Sequence, residues 1–330
     1  KYVEFAGDTA FLTQEIEGVP LIERLEMGLK WYDDNRFNQA LGLYWTIGGD
    51  YAWMDLAEKY RGSRASYCDL NAFLAGALSD LAFLEGAIGR TQKAQVYSEK
   101  SQSLAEQVNR LMWNSELGMY VDVDSNGQQT VHKHAFSFTT GFLASFFMNG
   151  MRGLADEVKA KALVKNLESK AFNRPYGLPS LAWDSPFYDP DNHEIVGLVW
   201  HYQMEIVRGL YWAGQTEMAH FMLKELFKLH WWSEGLGPRY MAEAYSAETG
   251  EMFAGGRYRP AARSFNYPAN FNLMLGLYEG VFGLRVAEEG IEVNVNSPWR
   301  EAAVSNLKVL GHKVSVSWSK EKGLTLNVDG

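Results

Sequence analysis

The sequence predicts a mainly α protein built from helical hairpins and followed by a small antiparallel β unit. Apolar residues recur every three or four positions through most of the chain, as they do in amphipathic helices. Near residue 287 this spacing gives way to short runs in which apolar and polar residues alternate. Long loops rich in aromatic and acidic residues separate the helical segments. Together these observations favour a closed α/α toroid with a loop-lined face.

The clearest predicted hairpin consists of residues 69–89 and 91–112. Asp69 is a candidate N-cap of the first helix, and Gly89 is a candidate terminator of it. A connection this short requires the two helices to be antiparallel neighbours. Further helical patterns are predicted at about 19–35, 138–150, 155–169, 193–213, 216–230 and 268–282.

Alternating residues predict two β features. Residues 118–128 contain the turn dipeptide Asn126-Gly127 and predict a short hairpin between helices. Residues 287–330 predict the C-terminal antiparallel unit, so the helical toroid is expected in residues 1–286. The helical hairpins have no fixed repeat length, which argues against an open solenoid.

The composition disfavours several classes of function. Lys plus Arg number 31 against 40 for Asp plus Glu, and the net charge of −9 makes nucleic acid an unfavourable partner. Cys68 is the single cysteine, and the spacing of His132 and His134 is more typical of a polar strand surface than of a metal site. We therefore expect no metal and no other cofactor. The chain has neither an apolar run of roughly 20 residues nor a signal-peptide pattern at its start, and its compartment is not indicated.

One acidic residue has an unusual setting. Asp50 follows two glycines in LYWTIGGDYAW and is surrounded in sequence by Tyr44, Trp45, Tyr51 and Trp53. The glycines allow the backbone to turn without a side chain in the way, so the loop can direct the carboxyl group into a cavity. Aromatic walls raise the pKa of a carboxyl group by desolvation, and the same rings can stack on a sugar. A glycosidase needs such a protonated carboxyl group as its acid.

Glycoside hydrolysis needs a second carboxylate, and Glu243 is the candidate. It lies in the aromatic loop 233–268, two residues before Tyr245, far in sequence from Asp50. A toroid can bring the two loops across one cavity. Glu248, in contrast, has the sequence setting of a turn residue exposed to water.

Five segments of the chain form a recognisable series: LYWTIGGD, SRASYCDLNAFLAGALSDLAFLEGAIG, LMWNSELGMYVDVD, GLPSLAWDSPFYDPDNHEIVGLVWHYQMEIVRGLYWAG and EAYSAETGE. In this order they resemble the six-hairpin (α/α)6 glycosidases. The chain most resembles the α-glucosidase and mannosylglycerate hydrolase group of glycoside hydrolase family 63, with trehalases and glycogen-debranching α-1,6-glucosidases as relatives. The resemblance covers most of residues 1–285, and the β unit looks like the small sandwich that often follows such a toroid.

The resemblance implies inverting, exo-acting hydrolysis of an α-glucoside or α-mannoside. It assigns the acid to Asp50 and the base to Glu243, which begins the E-x-Y-x-x-x-T-G segment. Asp69 and Asn71 match a segment that packs beneath the site, and Trp200 falls where these enzymes carry a tryptophan facing the sugar. The candidate substrate-binding residues are Tyr44, Trp45, Tyr51, Trp53, Arg64, Trp183, Asp184, Trp200, Tyr245 and Arg263.

Other functions stay open. The same order of segments occurs in α-L-rhamnosidases, so the sugar can differ. The family's arginine is missing from the segment before Trp200, which gives slight support to a catalytically silent carbohydrate-binding protein. A polysaccharide lyase would need positive charge, which Arg257, Arg259 and Arg263 supply. Toroids of this kind usually carry an amino-terminal β domain, which we expect to be absent from this chain. Its oligomeric state is not indicated.

Overall fold

A computed structural model gives the structure of the protein and describes residues 2–47, 64–129, 154–179, 182–183, 188, 200–232, 246–250, 274–287 and 290–329. Helices dominate these residues, which confirms the mainly α class. None of the described helices is both long enough and apolar enough to cross a bilayer. They are α1 (Tyr2–Ala6), α2 (Leu21–Arg36), α3 (Cys68–Ala87), α4 (Thr91–Leu111), α5 (Glu157–Leu167), α6 (Trp200–Trp212) and α7 (Thr216–Trp232), with a 3-10 turn at Ala10–Thr13 and a π-helix at Gly276–Val281.

The predicted pair of long antiparallel helices is present as α3 and α4. The chain leaves α3 through Gly89, whose φ of 79° lies in the left-handed region. The next amide, that of Arg90, donates to the carbonyl of Glu85 at 2.8 Å, as in a Schellman motif. The turn between α6 and α7 has the same form, with Gly214 at a φ of 73°. A side chain would be strained at either position, so these glycines fix where the helices end.

Helix α3 is buried on most sides and packs along α4. Leu70, Leu74 and Leu78 recur every four residues on α3, and Leu104 and Val108 face them from α4. All five belong to the main hydrophobic core and are at most 6% exposed. Burying a leucine side chain stabilises a fold by about 1.5–3 kcal/mol. The first turn of α3 therefore belongs to a helix that core packing holds in place.

Helix α2 has a broad stripe of apolar residues in its sequence, but most of these residues are not buried. Ile22 is its one buried residue. Leu25, Met27 and Trp31 are 43%, 61% and 49% exposed. Periodicity predicted the helix itself, whereas the partners of its apolar residues depend on distant parts of the chain.

The remaining helical predictions fall partly within the described residues. Asp156 is the N-cap of α5 and accepts a hydrogen bond from the amide of Lys159 at 2.9 Å. Helix α5 corresponds to the helix predicted at 155–169, and α6 and α7 correspond to those predicted at 193–213 and 216–230. The π-helix lies at the end of the helix predicted at 268–282. The helix predicted at 138–150 lies outside the described residues.

Short strands connect the helices, and longer ones form the C-terminal unit. The strands are β1 (Glu15–Ile16), β2 (Val19–Pro20), β3 (Phe37–Asn38), β4 (Leu43–Tyr44), β5 (Thr46–Ile47), β6 (Arg64–Ser66), β7 (Trp113–Asn114), β8 (Met119–Tyr120), β9 (Val123–Asp124), β10 (Arg285–Ala287), β11 (Gly290–Glu292), β12 (Glu301–Val309), β13 (His312–Ser319) and β14 (Gly323–Asp329). The described pairings are antiparallel, in the orders β1-β2, β3-β4, β5-β6-β9, β7-β8, β10-β11 and β12-β13-β14.

The β-hairpin predicted at 118–128 forms only around its turn. The amide of Asp124 donates to the carbonyl of Gln128 at 2.9 Å, so the chain reverses at Asn126-Gly127 as predicted. The two strands, however, pair with different neighbours, β8 with β7 and β9 with β6. Strands of two residues hold too few hydrogen bonds to determine their own partner, and tertiary packing decides it.

The C-terminal sheet packs on the helices. Val309, Val314 and Val316 are buried in the same core as α3 and α4. The ring of Trp299 meets that of Phe227 on α7 with their centroids 5.3 Å apart. The predicted change from helices to antiparallel strands is confirmed, and the first strand of this region starts at Arg285.

Candidate active site

The candidate acid, Asp50, lies in a segment whose two ends are paired with each other. Strand β5 ends at Ile47, three residues before Asp50, and Ile47 stands opposite Arg64 at the start of β6. Strand β6 pairs with β9 on its other side. Asp50, Tyr51 and Trp53 themselves lie outside the described residues. The sheet therefore fixes the positions of the two residues that flank this segment, Ile47 and Arg64.

Two of the candidate substrate-binding residues, Trp45 and Arg64, lie together beside this segment. The guanidinium carbon of Arg64 is 4.2 Å from the centroid of the Trp45 ring, and that of Arg36 is 4.7 Å from it. The amide of Trp45 also donates to the carbonyl of Arg36 at 2.8 Å. The negative face of an indole attracts such cations. Groups from both α2 and β6 thus set the orientation of Trp45.

Tyr44, in contrast, belongs to the core. Its side chain is 5% exposed, and its ring packs against those of Phe37 and Tyr32. Its hydroxyl donates to the Asp33 carboxylate at 2.5 Å. Burial, followed by this bond, raises the pKa of the hydroxyl. Little of the ring is left to contact a sugar, so we do not include Tyr44 in the proposed site.

The first turn of α3 is bonded to the strand that leads to Asp50. The side-chain amide of Asn71 donates to the carbonyls of Tyr44 and Tyr67 at 2.9 and 2.8 Å, and its oxygen accepts from the Tyr44 amide at 2.8 Å. Asn71 is fully buried. One side chain therefore holds β4, and with it the approach to β5, against α3.

Two buried carboxyl groups lie at the same turn. Helix α3 begins at Cys68, so Asp69 occupies its first turn and not the predicted N-cap position. One oxygen of Asp69 accepts from the Leu70 amide at 2.7 Å, and within the described structure its other oxygen has no hydrogen-bond partner. Asp122 accepts from the Cys68 amide at 2.9 Å.

The surroundings of these two acids favour their protonated forms. Burial, and then the charge of Asp122, raise the pKa of Asp69 to about 7. Burial raises the pKa of Asp122 to about 6, although the hydrogen bonds from Cys68 oppose the shift. Both acids thus hold protons at pH values where exposed aspartates have lost theirs.

The other candidate carboxylate, Glu243, lies outside the described residues, but the turn Ser246–Gly250 that follows it is described. Within this turn, both oxygens of Glu248 accept from the Arg174 guanidinium, at 2.6 and 2.7 Å. The hydroxyl of Tyr188 adds a third bond at 2.7 Å. Glu248 lies in a turn as predicted, but the prediction that it is exposed to water is wrong, since it is partly buried and ion-paired.

Arg174 also contacts a candidate substrate-binding residue, Trp183. Its guanidinium carbon is 5.0 Å from the ring centroid, and the tryptophan is 51% exposed. An indole that is half exposed leaves ring surface on which a sugar can stack. One arginine thus touches both this ring and the turn after Glu243.

The remaining candidates are placed only in part. Trp200 is the first residue of α6. Asp184, Tyr245 and Arg263 lie outside the described residues, as do His132 and His134. Within the described part of the chain, no three His, Cys, Asp or Glu side chains are grouped so that they could hold a metal ion.

Sequence reasoning did not single out Asp122 or Arg174. Asp122 stands between Val121 and Val123, which are both fully buried, and an acid inside such an apolar run is a signal that could have found it. Arg174 had no local signal, because its partner Glu248 is 74 residues away.

Comparisons with known proteins give the chain's relatives. The family model described as "Mannosylglycerate hydrolase MGH1-like glycoside hydrolase domain" matches residues 19–267. A probable trehalase from Oryza sativa subsp. japonica is 25% identical over 216 residues, which make up 58% of this chain and 36% of that protein. The chain therefore spans little more than a third of this curated relative.

Two solved structures share the fold over 99% of this chain. One is a protein named "Sialidase", with a TM-score of 0.78 and 17% identity. The other is a family GH78 rhamnosidase of Bacillus sp. GL1, with a TM-score of 0.65 and 18% identity. This chain covers 30% of each of them. Because the family model covers most of the sequence, the chain belongs to the mannosylglycerate hydrolase MGH1-like glycoside hydrolase domains.

Proposed function

We propose that this glycoside hydrolase domain is an inverting, exo-acting enzyme that cleaves an α-glucoside or an α-mannoside. Asp50 protonates the glycosidic oxygen, while Glu243 removes a proton from a water that attacks the opposite face of the sugar. In an inverting enzyme the two carboxyl groups stand about 6.5–9.5 Å apart, which leaves room for that water. Both carboxylates come from the loop face of an (α/α)6 toroid formed by residues 1–286.

The observation that supports this proposal is a similarity between the described elements that flank the two carboxylates in sequence. Trp45 precedes the Asp50 segment and has the guanidinium of Arg64 on its ring. Trp183 contacts Arg174, which also holds the turn after Glu243. An indole held by an arginine thus accompanies the described element nearest in sequence to each proposed catalytic carboxylate, and such a ring is a surface on which a sugar can stack.

Described carboxyl groups on the two sides of the candidate site differ in the protonation state that they favour. At the first turn of α3, burial raises the pKa of Asp69 and of Asp122, so these two acids favour their protonated forms. In the turn after Glu243, hydrogen bonds from Arg174 hold the pKa of Glu248 below its ordinary value. An inverting glycosidase needs one protonated and one ionised carboxyl group.

The test is to replace Asp50 by Asn and Glu243 by Gln. Each change should lower kcat about 10³-fold, because general acid–base catalysis contributes on the order of 10²–10⁴. The assay is release of reducing sugar from α-glucosides, α,α-trehalose, α-mannosides including mannosylglycerate, and α-L-rhamnosides. The trehalase and rhamnosidase relatives are the reason for two of these substrates. NMR of the first anomer released tests inversion.

The matched control is Glu157→Gln on α5, an exposed carboxylate that pairs with Lys161. It should leave turnover unchanged. Near-normal turnover of both Asp50→Asn and Glu243→Gln would reject the assignment. Calorimetric binding of a glycan that the wild-type protein never hydrolyses would instead support the catalytically silent alternative.

A further inference from the structure

The turn Ser246–Gly250 is internally rigid. The side-chain oxygen of Ser246 accepts from the amides of Glu248 and Thr249 at 3.2 and 3.1 Å. The amide of Gly250 donates to the Ser246 carbonyl at 2.8 Å. Gly250 has a φ of 73°, and a side chain there would run into the ring of Tyr176. The turn thus has one conformation, and its position depends on what holds it from outside.

Residues of the preceding loop hold this turn at two points. The amide of Tyr176 donates to the carbonyl of Ala247 at 3.0 Å. Arg174 binds both oxygens of Glu248, and Tyr188 binds one of them. Bidentate guanidinium–carboxylate bonds fix direction as well as distance. The turn is therefore oriented mainly by its Glu248 side chain.

Glu248 itself is unsuited to exchange a proton with a substrate. Its oxygens are occupied by Arg174 and Tyr188, and the bonds from Arg174 lower its pKa. A carboxylate in this state is a fixed negative charge. Any effect of Glu248 on the reaction must therefore act through the residues to which it is bonded.

Arg174 connects the turn to Trp183, the ring on which we expect a sugar to stack. It contacts the Trp183 ring at 5.0 Å and also donates to the carbonyl of Lys170 at 3.2 Å. The same guanidinium therefore sets where Trp183 and Glu248 stand relative to each other. Glu243 lies five residues before Glu248 in the sequence.

We propose that Arg174 and Glu248 are positioning residues, which together fix the Glu243 segment relative to the sugar-stacking ring of Trp183. This inference rests on the proposed function, since Glu243 is its base. A base that shifts by about 1 Å can lose about 10²-fold in rate without losing its substrate. The pair thus acts on kcat through Glu243 and on KM through Trp183.

The kinetic test compares Glu248→Gln, Arg174→Gln and the double variant. Glu248→Gln should lower kcat about 10-fold to 100-fold and change KM less than about threefold, because only the turn is released. Arg174→Gln should lower kcat similarly and also raise KM, because Trp183 loses its contact. The double variant should match Arg174→Gln, since the two residues act as one unit.

The matched control is Glu157→Gln, which breaks the exposed Lys161 ion pair of 2.6 Å, a bond as short as that of Arg174 to Glu248. It should leave both kinetic constants unchanged. Losses that multiply in the double variant, or a Glu248→Gln variant with wild-type kcat, would overturn the proposal.

A second measurement does not depend on catalysis. Amide hydrogen exchange of Tyr176, whose amide donates to the Ala247 carbonyl of the turn, should become faster in both single variants, while the amides of α3 stay protected. Unchanged exchange at Tyr176 would also overturn the proposal. If the wild-type protein hydrolyses no glycoside, the proposed function fails, but exchange still reports whether Arg174 holds the turn.

Discussion

The two sides of the candidate site are held by different kinds of interaction. We use the name acid side for strands β4, β5 and β6 together with the first turn of α3. The base side is the turn Ser246–Gly250 with Arg174 and Tyr188. The acid side is held by strand pairing and by the buried amide of Asn71. The base side is held by an ion pair between partly exposed side chains.

This difference predicts different responses to conditions. Hydrogen bonds between neutral, buried groups are nearly independent of salt, whereas an ion pair near the surface weakens as ionic strength rises. The acid side in turn contains the buried Asp69 and is bonded through Cys68 to the buried Asp122, and the charge of both acids changes near neutral pH. We therefore expect the acid side to respond to pH and the base side to respond to salt.

The largest effect should come from Asn71→Ala on the acid side. The change leaves the amide and the carbonyl of Tyr44 buried without their partner. At about 1–3 kcal/mol for each such group, the free energy of unfolding should fall by about 3 kcal/mol. Urea denaturation measures this loss.

Asn35→Ala is the control for this prediction. Asn35 is exposed and donates one bond, to the Trp31 carbonyl. It should cost less than about 0.5 kcal/mol. Equal, small losses in the two variants would mean that Asn71 does not hold the acid side.

Asp69→Asn should have the next largest effect, and the effect should depend on pH. The folded-state pKa of Asp69 is raised to about 7, so its contribution to stability is complete below about pH 4 and is lost as the pH rises through 7. The variant has no proton to lose at this position. At pH 8 it should therefore be more stable than the wild type, and near pH 4 this advantage should vanish.

Thermal unfolding between pH 4 and pH 8 checks this prediction. Asp156→Asn is the control with opposite sign, because the Lys159 amide lowers the pKa of Asp156, and its stabilisation is lost as the pH falls. If the wild type and Asp69→Asn gave parallel curves, ionisation of Asp69 would not govern the acid side.

The smallest effects should come from the two arginines that cover tryptophan rings. Arg64→Ala removes a contact at an exposed site and should cost about 0.5 kcal/mol. Arg174→Ala removes a similar contact and also the pair with Glu248, so we expect about 1.5 kcal/mol.

Urea denaturation at about 0.05 and about 0.5 M NaCl, between which the Debye length falls roughly threefold, sharpens the comparison. High salt should reduce the cost of Arg174→Ala and leave that of Asn71→Ala unchanged. A cost of Arg174→Ala that ignores salt would contradict the ionic character assigned to the base side.

Local patterns in the sequence predicted the framework of the fold. Gly89 ended α3 as predicted, because a left-handed turn residue is recognised from its own chemistry. The turn at Asn126-Gly127 formed for the same reason. Periodicity found α2 but could not say that Leu25 and Met27 would face outward, since that depends on packing partners far along the chain.

The site was less predictable because its contacts are distant in sequence. Glu248 looks like a solvated turn residue until Arg174, 74 residues earlier, is placed beside it. Tyr44 looks like one of the rings around Asp50, yet it faces Asp33 on α2. The catalytic assignments of Asp50 and Glu243 stay predictions, which the substitutions above test.

The burial of Cys68 gives the protein a built-in reporter. It is the single cysteine of the chain, it is fully buried as the first residue of α3, and its amide is bonded to Asp122. A thiol reagent can reach it only when this turn opens. The rate of thiol labelling therefore measures how often the acid side opens, without any introduced probe.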